Sequence, residues 1–293
     1  MMLYLIFGCS VSGLEQKIDE MRLGNLIGSG GRHTCAINHR GVADCWGDDF
    51  LGQSSPVPDQ LRQIVSGDQH TCGLKEDGNV TCWGAAYAVD GTISDVDRIP
   101  SETFVDLSAG DEHSCGVTSN AEVRCWGRDV ENQSTPLSLA VIDVAAGGKH
   151  SCAVQESGSL ACWGADELSQ STPPEGQFLQ VSAGMFHTCG LLRTGEVDCW
   201  GDNSSGQTDA PSGHFVEVSA GDFHTCALGA EGSAECWGLD SMGQLQVPAF
   251  DLTHISAGGS HNCGLTSEGS TVCWGSDSSG QSTASVGFRA YGF

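Results

Sequence analysis

Short apolar runs recur along this chain at nearly constant spacing, each bounded by glycine and polar residues. A run such as Val181-Ser182-Ala183 leads through Gly-x-x-His to two further runs around a turn, as in Thr71–Leu74 and Val80–Trp83. Runs of this length between turn residues are typical of β-strands. No window shows the 3.6-residue apolar period of an amphipathic helix. The pattern therefore predicts an all-β chain.

A repeat sets the spacing of these runs. The tripeptide His-x-Cys occurs seven times, with gaps of 37, 43, 37, 37, 37 and 37 residues, at His33, His70, His113, His150, His187, His224 and His261. Each is followed ten residues after its cysteine by Cys-Trp-Gly, which together use all seven tryptophans and fourteen of the fifteen cysteines. Repeats of about 37 residues with three or four short strands are typical of propeller blades. Seven repeats predict a seven-bladed β-propeller across residues 25–293.

The repeat also identifies a family. Its pattern, V-S-A-G-x-x-H-T-C-x-L-x-x-x-G-x-V-x-C-W-G-x-N-x-x-G-Q, closely resembles the regulator of chromosome condensation repeat and extends over nearly all of the chain beyond residue 24. The resemblance implies a seven-bladed propeller. It indicates little about function, because one scaffold serves many unrelated functions.

The two cysteines of each repeat face one another across a predicted hairpin. In the second repeat, Glu76-Asp77-Gly78 makes a three-residue turn with glycine last, which places Cys72 opposite Cys82. Opposed residues at a non-hydrogen-bonded position lie about 4.5 Å apart, at the short end of the range for a disulfide. The third repeat departs from this pattern, with Asn120-Ala121 at the turn. The same register predicts one disulfide per blade: Cys35–Cys45, Cys72–Cys82, Cys115–Cys125, Cys152–Cys162, Cys189–Cys199, Cys226–Cys236 and Cys263–Cys273.

Two other roles for the cysteines stay open. One histidine and two cysteines per repeat would supply three zinc ligands, but a structural zinc site takes four and no fourth ligand recurs with the period. Reduced cysteines packed in the core are the other alternative, since members of the resembled family often carry them there. We interpret the repeated histidine as a hydrogen-bonded structural residue rather than a catalytic base.

Composition and charge narrow the function classes. The chain has 12 basic and 37 acidic residues, and its formal net charge of −25 argues against nucleic acid as a direct partner. No apolar run approaches the length of about 20 residues that spans a membrane as a helix. No nucleophile elbow, metalloprotease helix, phosphate loop or dinucleotide fingerprint is present. We therefore predict a non-enzymatic protein with no cofactor and no metal.

The first residues bear on the compartment. The apolar start that ends in Ile6-Phe7-Gly8-Cys9 resembles a bacterial lipoprotein signal, in which the cysteine after a small residue is lipidated. It is short and has no basic segment, so a frayed strand with a free Cys9 is the alternative. An odd cysteine beside fourteen paired ones needs a role of its own. We predict that residues 1–24 are a leader and tether, and that the protein is exported to a bacterial surface or periplasm, where only a lipid anchor at Cys9 contacts the membrane.

One face of the predicted disc carries the variable loops. With alternating strands, the Gly-x-x-His loops and the loops after Cys-Trp-Gly share a face, here named the loop face, and the hairpin turns share the opposite hairpin face. Met185, Phe186 and Phe223 lie in such loops of adjacent repeats and predict a contact patch, unless they tuck over the blade tops. Carboxylates collect on the same face, where they would attract a basic partner or cations or, the interpretation we prefer, keep the protein soluble: Asp48, Asp49, Asp129, Glu131, Asp166, Glu167, Asp202, Asp240 and Asp277.

Two segments depart from the repeat. Six extra residues fall within Ala85–Glu102, a stretch that lacks the usual glutamine and whose carboxylates do not match a calcium-loop spacing. Residues 288–293 look like a partial eighth first strand, which would complete a blade shared by the two termini.

Together these patterns predict a monomeric, exported module that binds a protein or glycan through its loop face. The family resemblance implies a guanine-nucleotide exchange factor for a small GTPase as one alternative, which requires a reduced, cytosolic protein. A second alternative, again by resemblance, is an inhibitor of an extracellular enzyme such as a β-lactamase.

Overall fold

The described residues form an all-β ring. The structure is a computed structural model, and it describes residues 25–84 and 98–284. These residues form seven antiparallel three-stranded sheets, each built from one repeat with its strands in chain order. The predicted seven-bladed propeller is confirmed, with blades numbered 1 to 7 along the chain. Cys9, the proposed leader, most of the insertion and the proposed eighth strand lie outside the described residues.

Each strand of a blade has a fixed place. The first strands line the central channel: β1 (Ile27–Ser29), β4 (Leu61–Ser66), β7 (Phe104–Ala109), β10 (Val141–Ala146), β13 (Phe178–Ala183), β16 (Phe215–Ala220) and β19 (Leu252–Ala257). The second strands begin at the repeated histidines: β2 (His33–Ile37), β5 (His70–Lys75), β8 (His113–Thr118), β11 (His150–Gln155), β14 (His187–Leu192), β17 (His224–Gly229) and β20 (His261–Thr266). The third strands end at the glycine of Cys-Trp-Gly: β3 (Ala43–Gly47), β6 (Val80–Gly84), β9 (Val123–Gly127), β12 (Leu160–Gly164), β15 (Val197–Gly201), β18 (Ala234–Gly238) and β21 (Thr271–Gly275).

All seven predicted disulfides are present. Each joins the second and third strands of a blade across the predicted register, as in the pairing of Cys72 with Cys82. The Cα atoms of the seven pairs lie 4.0 to 4.1 Å apart, and the first cysteine of every pair is fully buried. The zinc and reduced-thiol alternatives are therefore set aside for these fourteen residues.

The hairpin turns require a left-handed residue. Gly78 takes φ +83° in blade 2, and five other blades use glycine in the same way. Blade 3 makes the same turn with Ala121, which is held at φ +60°. An L-residue with a Cβ in this region is strained by about 1–2 kcal/mol. The departure seen in the sequence is therefore a strained turn rather than a different one.

The core lies between blades. Val65 and Cys72 of blade 2 pack in one cluster with Phe104, Leu107 and Trp126 of blade 3. The buried disulfide thus faces the next blade, whereas the tryptophan faces the previous one, as strand alternation predicts. None of the described residues forms an apolar helix of membrane-spanning length.

Among the described residues, the first and last blades meet through side-chain hydrogen bonds. All three strands of blade 1 come from Ile27–Gly47, so its first strand is its own. The Gln281 carbonyl after blade 7 accepts hydrogen bonds from Thr34 Oγ1 at 2.9 Å and from Trp46 Nε1 at 2.8 Å. Blade 7 therefore contacts blade 1 through side chains of the repeat itself.

Candidate functional site

The loop face lies at one end of the central channel. Residue His33 at the start of β2 pairs with Gly47 at the end of β3, so the Gly-x-x-His loops and the loops after Cys-Trp-Gly emerge together, as predicted. Hydrogen bonds between backbones link successive loops, from Gly31 N to Gly67 O at 3.2 Å and from Gly259 N to Gly30 O at 3.1 Å. The mouth of the channel is thus ringed by short, mutually bonded loops.

The loop glycine of every blade lines the mouth, a cavity of about 60 Å³. In six blades the next residue lines it as well: Gly31, Asp68, Asp111, Met185, Asp222 and Gly259. Each aspartate lies over a neighbouring glycine: a Cβ added at Gly148 would lie 3.2 Å from Asp111 Oδ2, and one at Gly259 would lie 3.1 Å from Asp222 Oδ2. The sequence analysis found these loops variable but did not identify this cluster, because its members come from blades far apart in the chain.

The mouth aspartates are partly buried, and their charges repel one another. Burial, followed by the charges of Asp222 and Asp68, raises the pKa of Asp111 to about 7. Burial and the charge of Asp68 raise the pKa of Asp222 to about 6. Burial also raises the pKa of Asp68, which accepts a hydrogen bond from Gln69 Nε2 at 3.0 Å. The mouth is therefore an acidic site whose charge is poorly solvated.

The three apolar residues predicted as a contact patch lie together. The rings of Phe186 and Phe223 are 6.2 Å apart between centroids and tilted by 45°, within the range of attractive aromatic pairs. Met185, beside Phe186, lines the channel mouth. All three side chains are half-buried, so they are neither fully covered by the blades nor fully exposed to solvent.

The same arc continues into the loop after β18. Leu239 N donates to the Phe223 carbonyl at 2.9 Å, and Met242 in that loop is 58% exposed. We name Met185, Phe186, Phe223, Leu239 and Met242 the apolar arc. The sequence analysis missed the last two, although both follow a Cys-Trp-Gly whose counterparts in other repeats are mainly polar.

Other apolar side chains stand out on both faces. On the loop face, Phe50 is 89% exposed and Val130 is also exposed, each in a loop after Cys-Trp-Gly. On the hairpin face, Phe250 is 53% exposed, shortly before β19 begins. A single exposed apolar side chain needs no functional explanation, whereas a group of apolar side chains in neighbouring loops does.

Several of the loop-face carboxylates have structural partners. Asp49 Oδ1 accepts from Ser54 N at 2.8 Å, and Asp49 Oδ2 accepts from Ser55 Oγ at 2.7 Å. Asp129, Asp166 and Asp277 make the same two bonds in their own loops. These side chains brace the loops as Asx turns do, in addition to lending negative charge to the face.

The repeated histidines are structural. Each is fully buried or nearly so, and its Nε2 lies 2.8 Å from a polar side chain of the following blade, as in His261 and Thr34. Because the single hydroxyl proton of Thr34 goes to the Gln281 carbonyl, the His261 Nε2–H is the donor. Burial lowers the pKa of His261 to about 3, so the ring is neutral. Neutral rings held in this way bond blades to one another and are not placed to act as bases.

The described residues contain no group of three or more His, Cys, Asp or Glu arranged to hold a metal ion. The mouth aspartates, in particular, do not form such a group. The chemistry of the loop face is therefore that of a surface with one acidic centre and one apolar arc.

The comparisons with known proteins agree with this architecture. The family model of the regulator of chromosome condensation (RCC1) repeat matches more than half of the chain, at residues 61–86, 104–133, 141–170, 178–207, 215–244 and 252–281. The chain belongs to this family. The matched RCC1 repeats are blades 2 to 7, and the structure adds blade 1, which the family model does not match. No curated protein matches the chain.

Solved structures show the same propeller. The ectodomain of the receptor kinase CR4 from Physcomitrella patens is 28% identical, with a TM-score of 0.71, over 86% of this chain and 74% of that one. The CRINKLY WD40 ectodomain of the receptor kinase ACR4 from Arabidopsis thaliana is 26% identical, with a TM-score of 0.70, over 85% and 96%. Prp20p from Saccharomyces cerevisiae, studied for its binding to Gsp1p and histones, is 16% identical, with a TM-score of 0.70, over 80% of each chain. At that identity the likeness to Prp20p is one of fold alone.

Two conclusions follow for the RCC1-repeat chain. The RCC1-like propeller fold supports a protein-interaction module. Seven disulfides and the likeness to receptor ectodomains indicate an extracellular or exported protein.

Proposed function

We propose that this protein is a non-enzymatic module, exported and lipid-anchored through Cys9 on a bacterial surface or in the periplasm, that binds a protein partner through its loop face. The observation that carries the proposal is the aromatic pair of Phe186 and Phe223 beside the channel mouth. Half-exposed aromatic side chains on a rigid scaffold are typical binding anchors, because little conformational entropy is lost when they are covered.

The binding test compares matched variants. The wild-type protein, the double variant Phe186→Ser/Phe223→Ser and the hairpin-face control Phe250→Ser are used to capture partners from the extracytoplasmic fraction of the source cells. We expect the same partner on the wild type and on the control, and its loss from the double variant. Equal capture by all three proteins contradicts the proposal. The monomeric state is checked in the same preparation by light scattering.

The export test is an intact mass before and after reduction and thiol alkylation. The protein is expressed in a bacterium with its own first residues. We expect fourteen alkyl groups to be added only after reduction, together with a lipid-sized adduct at Cys9. Thiols that react without reduction contradict export, and a Cys9 without lipid contradicts the anchor.

A glycan ligand, an exchange-factor role and inhibition of an extracellular enzyme remain the alternatives. The capture experiment separates them, because it would recover a glycan-bearing component, a small GTPase or an enzyme such as a β-lactamase. No observation on the loop face favours any of the three over a protein partner of another kind.

A further inference from the structure

The apolar arc is confined to one side of the loop face. At the second loop position, where blades 5 and 6 carry Phe186 and Phe223, the other blades carry Arg32, Gln69, Glu112, Lys149 and Ser260. The position after Cys-Trp-Gly is Leu239 in blade 6 but Asp48 in blade 1 and Asp202 in blade 5. A partner that covers this arc therefore meets apolar side chains on blades 5 and 6. Around them the side chains are mainly polar or charged, with Leu168 of blade 4, 46% exposed, as an apolar exception.

The surroundings of the arc are mainly acidic, with Lys149 acting on Asp111 and Arg32 on Asp68 as basic neighbours. Asp222 directly precedes Phe223 in the loop, and Asp111 faces the same mouth as Met185. Among the described residues, neither carboxylate makes an ion pair or a hydrogen bond. Burial and the charges of the other mouth aspartates raise the pKa of both groups, which shows that their ionised forms are held at a disadvantage here.

The mouth offers carboxylates to a cation. The mouth aspartates do not form a group that would hold a metal ion. Their cavity of about 60 Å³ instead suits the head of one organic cation, whose charge the carboxylates attract. The chain as a whole carries a formal net charge of −25, so a basic polypeptide is also drawn to it over longer distances.

We propose that the apolar arc binds a basic polypeptide segment of the partner, whose apolar side chains cover Phe186 and Phe223 while a lysine or arginine lies at the channel mouth near Asp111 and Asp222. This inference rests on the proposed function and specifies the chemistry of its partner. Charge complementarity selects the occupant: an acidic segment would add like charge to an acidic surface, and a neutral one would leave the mouth carboxylates unpaired.

The test uses three synthetic peptides of about 12 residues, matched in length and labelled for fluorescence anisotropy. One alternates lysine and leucine, one alternates glutamate and leucine, and one alternates lysine and serine. We expect the lysine–leucine peptide to bind the wild type at least about tenfold more tightly than either other peptide, because only it offers both kinds of contact. Equal binding of the glutamate–leucine peptide overturns the inference while leaving a loop-face interaction intact.

Matched variants locate the site. Phe186→Ser/Phe223→Ser is expected to weaken the lysine–leucine peptide to the level of the lysine–serine peptide, and Asp111→Asn/Asp222→Asn to weaken it about threefold to tenfold. The hairpin-face controls are Phe250→Ser, which removes one exposed phenylalanine, and Glu231→Gln/Asp251→Asn, which neutralises two carboxylates. Both are expected to bind as the wild type does. If the hairpin-face variants lose as much affinity as the loop-face ones, binding is nonspecific attraction to an acidic protein, and the inference fails.

The variant Asp111→Asn/Asp222→Asn also serves as a control for misfolding. Replacing two poorly solvated carboxylates by neutral amides removes their mutual repulsion, so this variant is expected to be at least as stable as the wild type. Its loss of affinity is thus separable from unfolding, which is monitored by thermal denaturation of every variant.

Discussion

Two junctions of the ring differ in a way that chain continuity does not predict. Blades 7 and 1 are not consecutive in the chain. Thr34 and Trp46 of blade 1 nevertheless donate hydrogen bonds to the Gln281 carbonyl, and His261 of blade 7 donates to Thr34. Blades 2 and 3 are consecutive in the chain, yet Trp126 Nε1 is buried with no partner among the described residues.

The difference lies in a glutamine carbonyl that the other junctions share. At five other junctions, the backbone of a glutamine such as Gln133 accepts from the tryptophan and from a side chain on the second strand of the next blade. The longer segment between blades 2 and 3 has no glutamine. Among the described residues, the bond between His70 Nε2 and Ser114 Oγ, at 2.8 Å, is kept there, and Gln63 Nε2 donates to Asp106 Oδ1 at 2.7 Å. Noncovalent bonds of a repeated kind therefore join the blades, the closing pair included.

The largest expected effect is that of pH on stability, because it acts on the histidines of both junctions at once. Burial lowers the pKa of His261 to about 3 and that of His70 to about 4, against 6.5 for an exposed histidine. The other five repeated histidines are lowered in the same way. Their contribution to stability is fully present above pH 6.5 and is lost as the pH falls towards 4 and 3, because the unfolded chain binds the protons.

The mouth aspartates oppose this trend but are fewer. The pKa of Asp111 is raised to about 7 and that of Asp222 to about 6, so their contribution is present below pH 3.8 and is lost as the pH rises through 6 to 7. The seven histidines change the free energy of unfolding by more than the two aspartates do. We therefore expect the free energy of unfolding to fall steeply between pH 7 and pH 4. Denaturant titrations across this range measure it, and a flat profile would contradict neutral, buried histidines.

The next effect separates the two junctions. Thr34→Val removes the hydroxyl that joins His261 and Gln281, and we expect the free energy of unfolding to fall by about 2–4 kcal/mol, since two buried groups lose a partner. Ser114→Ala removes the bond to His70 and a weak 3.7 Å contact with Cys72 Sγ, with an expected fall of about 1–2 kcal/mol. Denaturant unfolding of both variants makes the comparison. Equal losses would mean that the glutamine carbonyl contributes nothing to the closing junction.

A smaller effect isolates the tryptophan. Trp46→Phe leaves the Gln281 carbonyl without one of its donors, and an extra destabilisation of about 1 kcal/mol relative to Trp126→Phe is expected. Both substitutions replace an indole by a phenyl ring, so the difference between their losses of stability measures the hydrogen bond. The difference in free energy of unfolding between the two variants is measured at neutral pH, and a value near zero would show that Trp126 has found a partner of equal worth.

The smallest effect concerns the turn of blade 3, beside the irregular junction. Ala121→Gly relieves an alanine held at φ +60° and is expected to raise the free energy of unfolding by about 0.5–1 kcal/mol. The reverse change in a regular blade, Gly195→Ala at φ +89°, is expected to lower it by about 1–2 kcal/mol. Thermal denaturation of the pair is sufficient, and the prediction is wrong if both substitutions shift stability in the same direction.

Much of the fold could be predicted from the sequence, because its main signals are local. A turn ending in Gly78 fixes the register of one hairpin, and that register places Cys72 opposite Cys82 without reference to any other blade. The placement of Trp126 on the face opposite the disulfide also follows from strand alternation alone. The sequence could not decide whether the turn at Ala121 keeps its conformation, since strain there depends on the packing that holds it.

The candidate site was only partly predictable. Met185, Phe186 and Phe223 stand out because they are apolar at positions where other repeats are polar, and their adjacency follows from adjacent repeats. The mouth aspartates carry no such signal, since aspartate is common in every loop of this acidic chain. The hypothesis that loop-face carboxylates serve solubility alone is incomplete, because residues such as Asp49 also brace their loops.

The sequence by itself determined the repeat, the strands and which cysteines face one another across each hairpin, because each of these depends on residues within about a dozen positions of one another. The tertiary structure alone decided which side chains meet between blades. Asp68, Asp111 and Asp222 converge, and His261 reaches Thr34, because the ring curves through seven blades and brings equivalent loops to one axis. The angle between packed blades is set by the shape of the core between them, and no local pattern of residues encodes it.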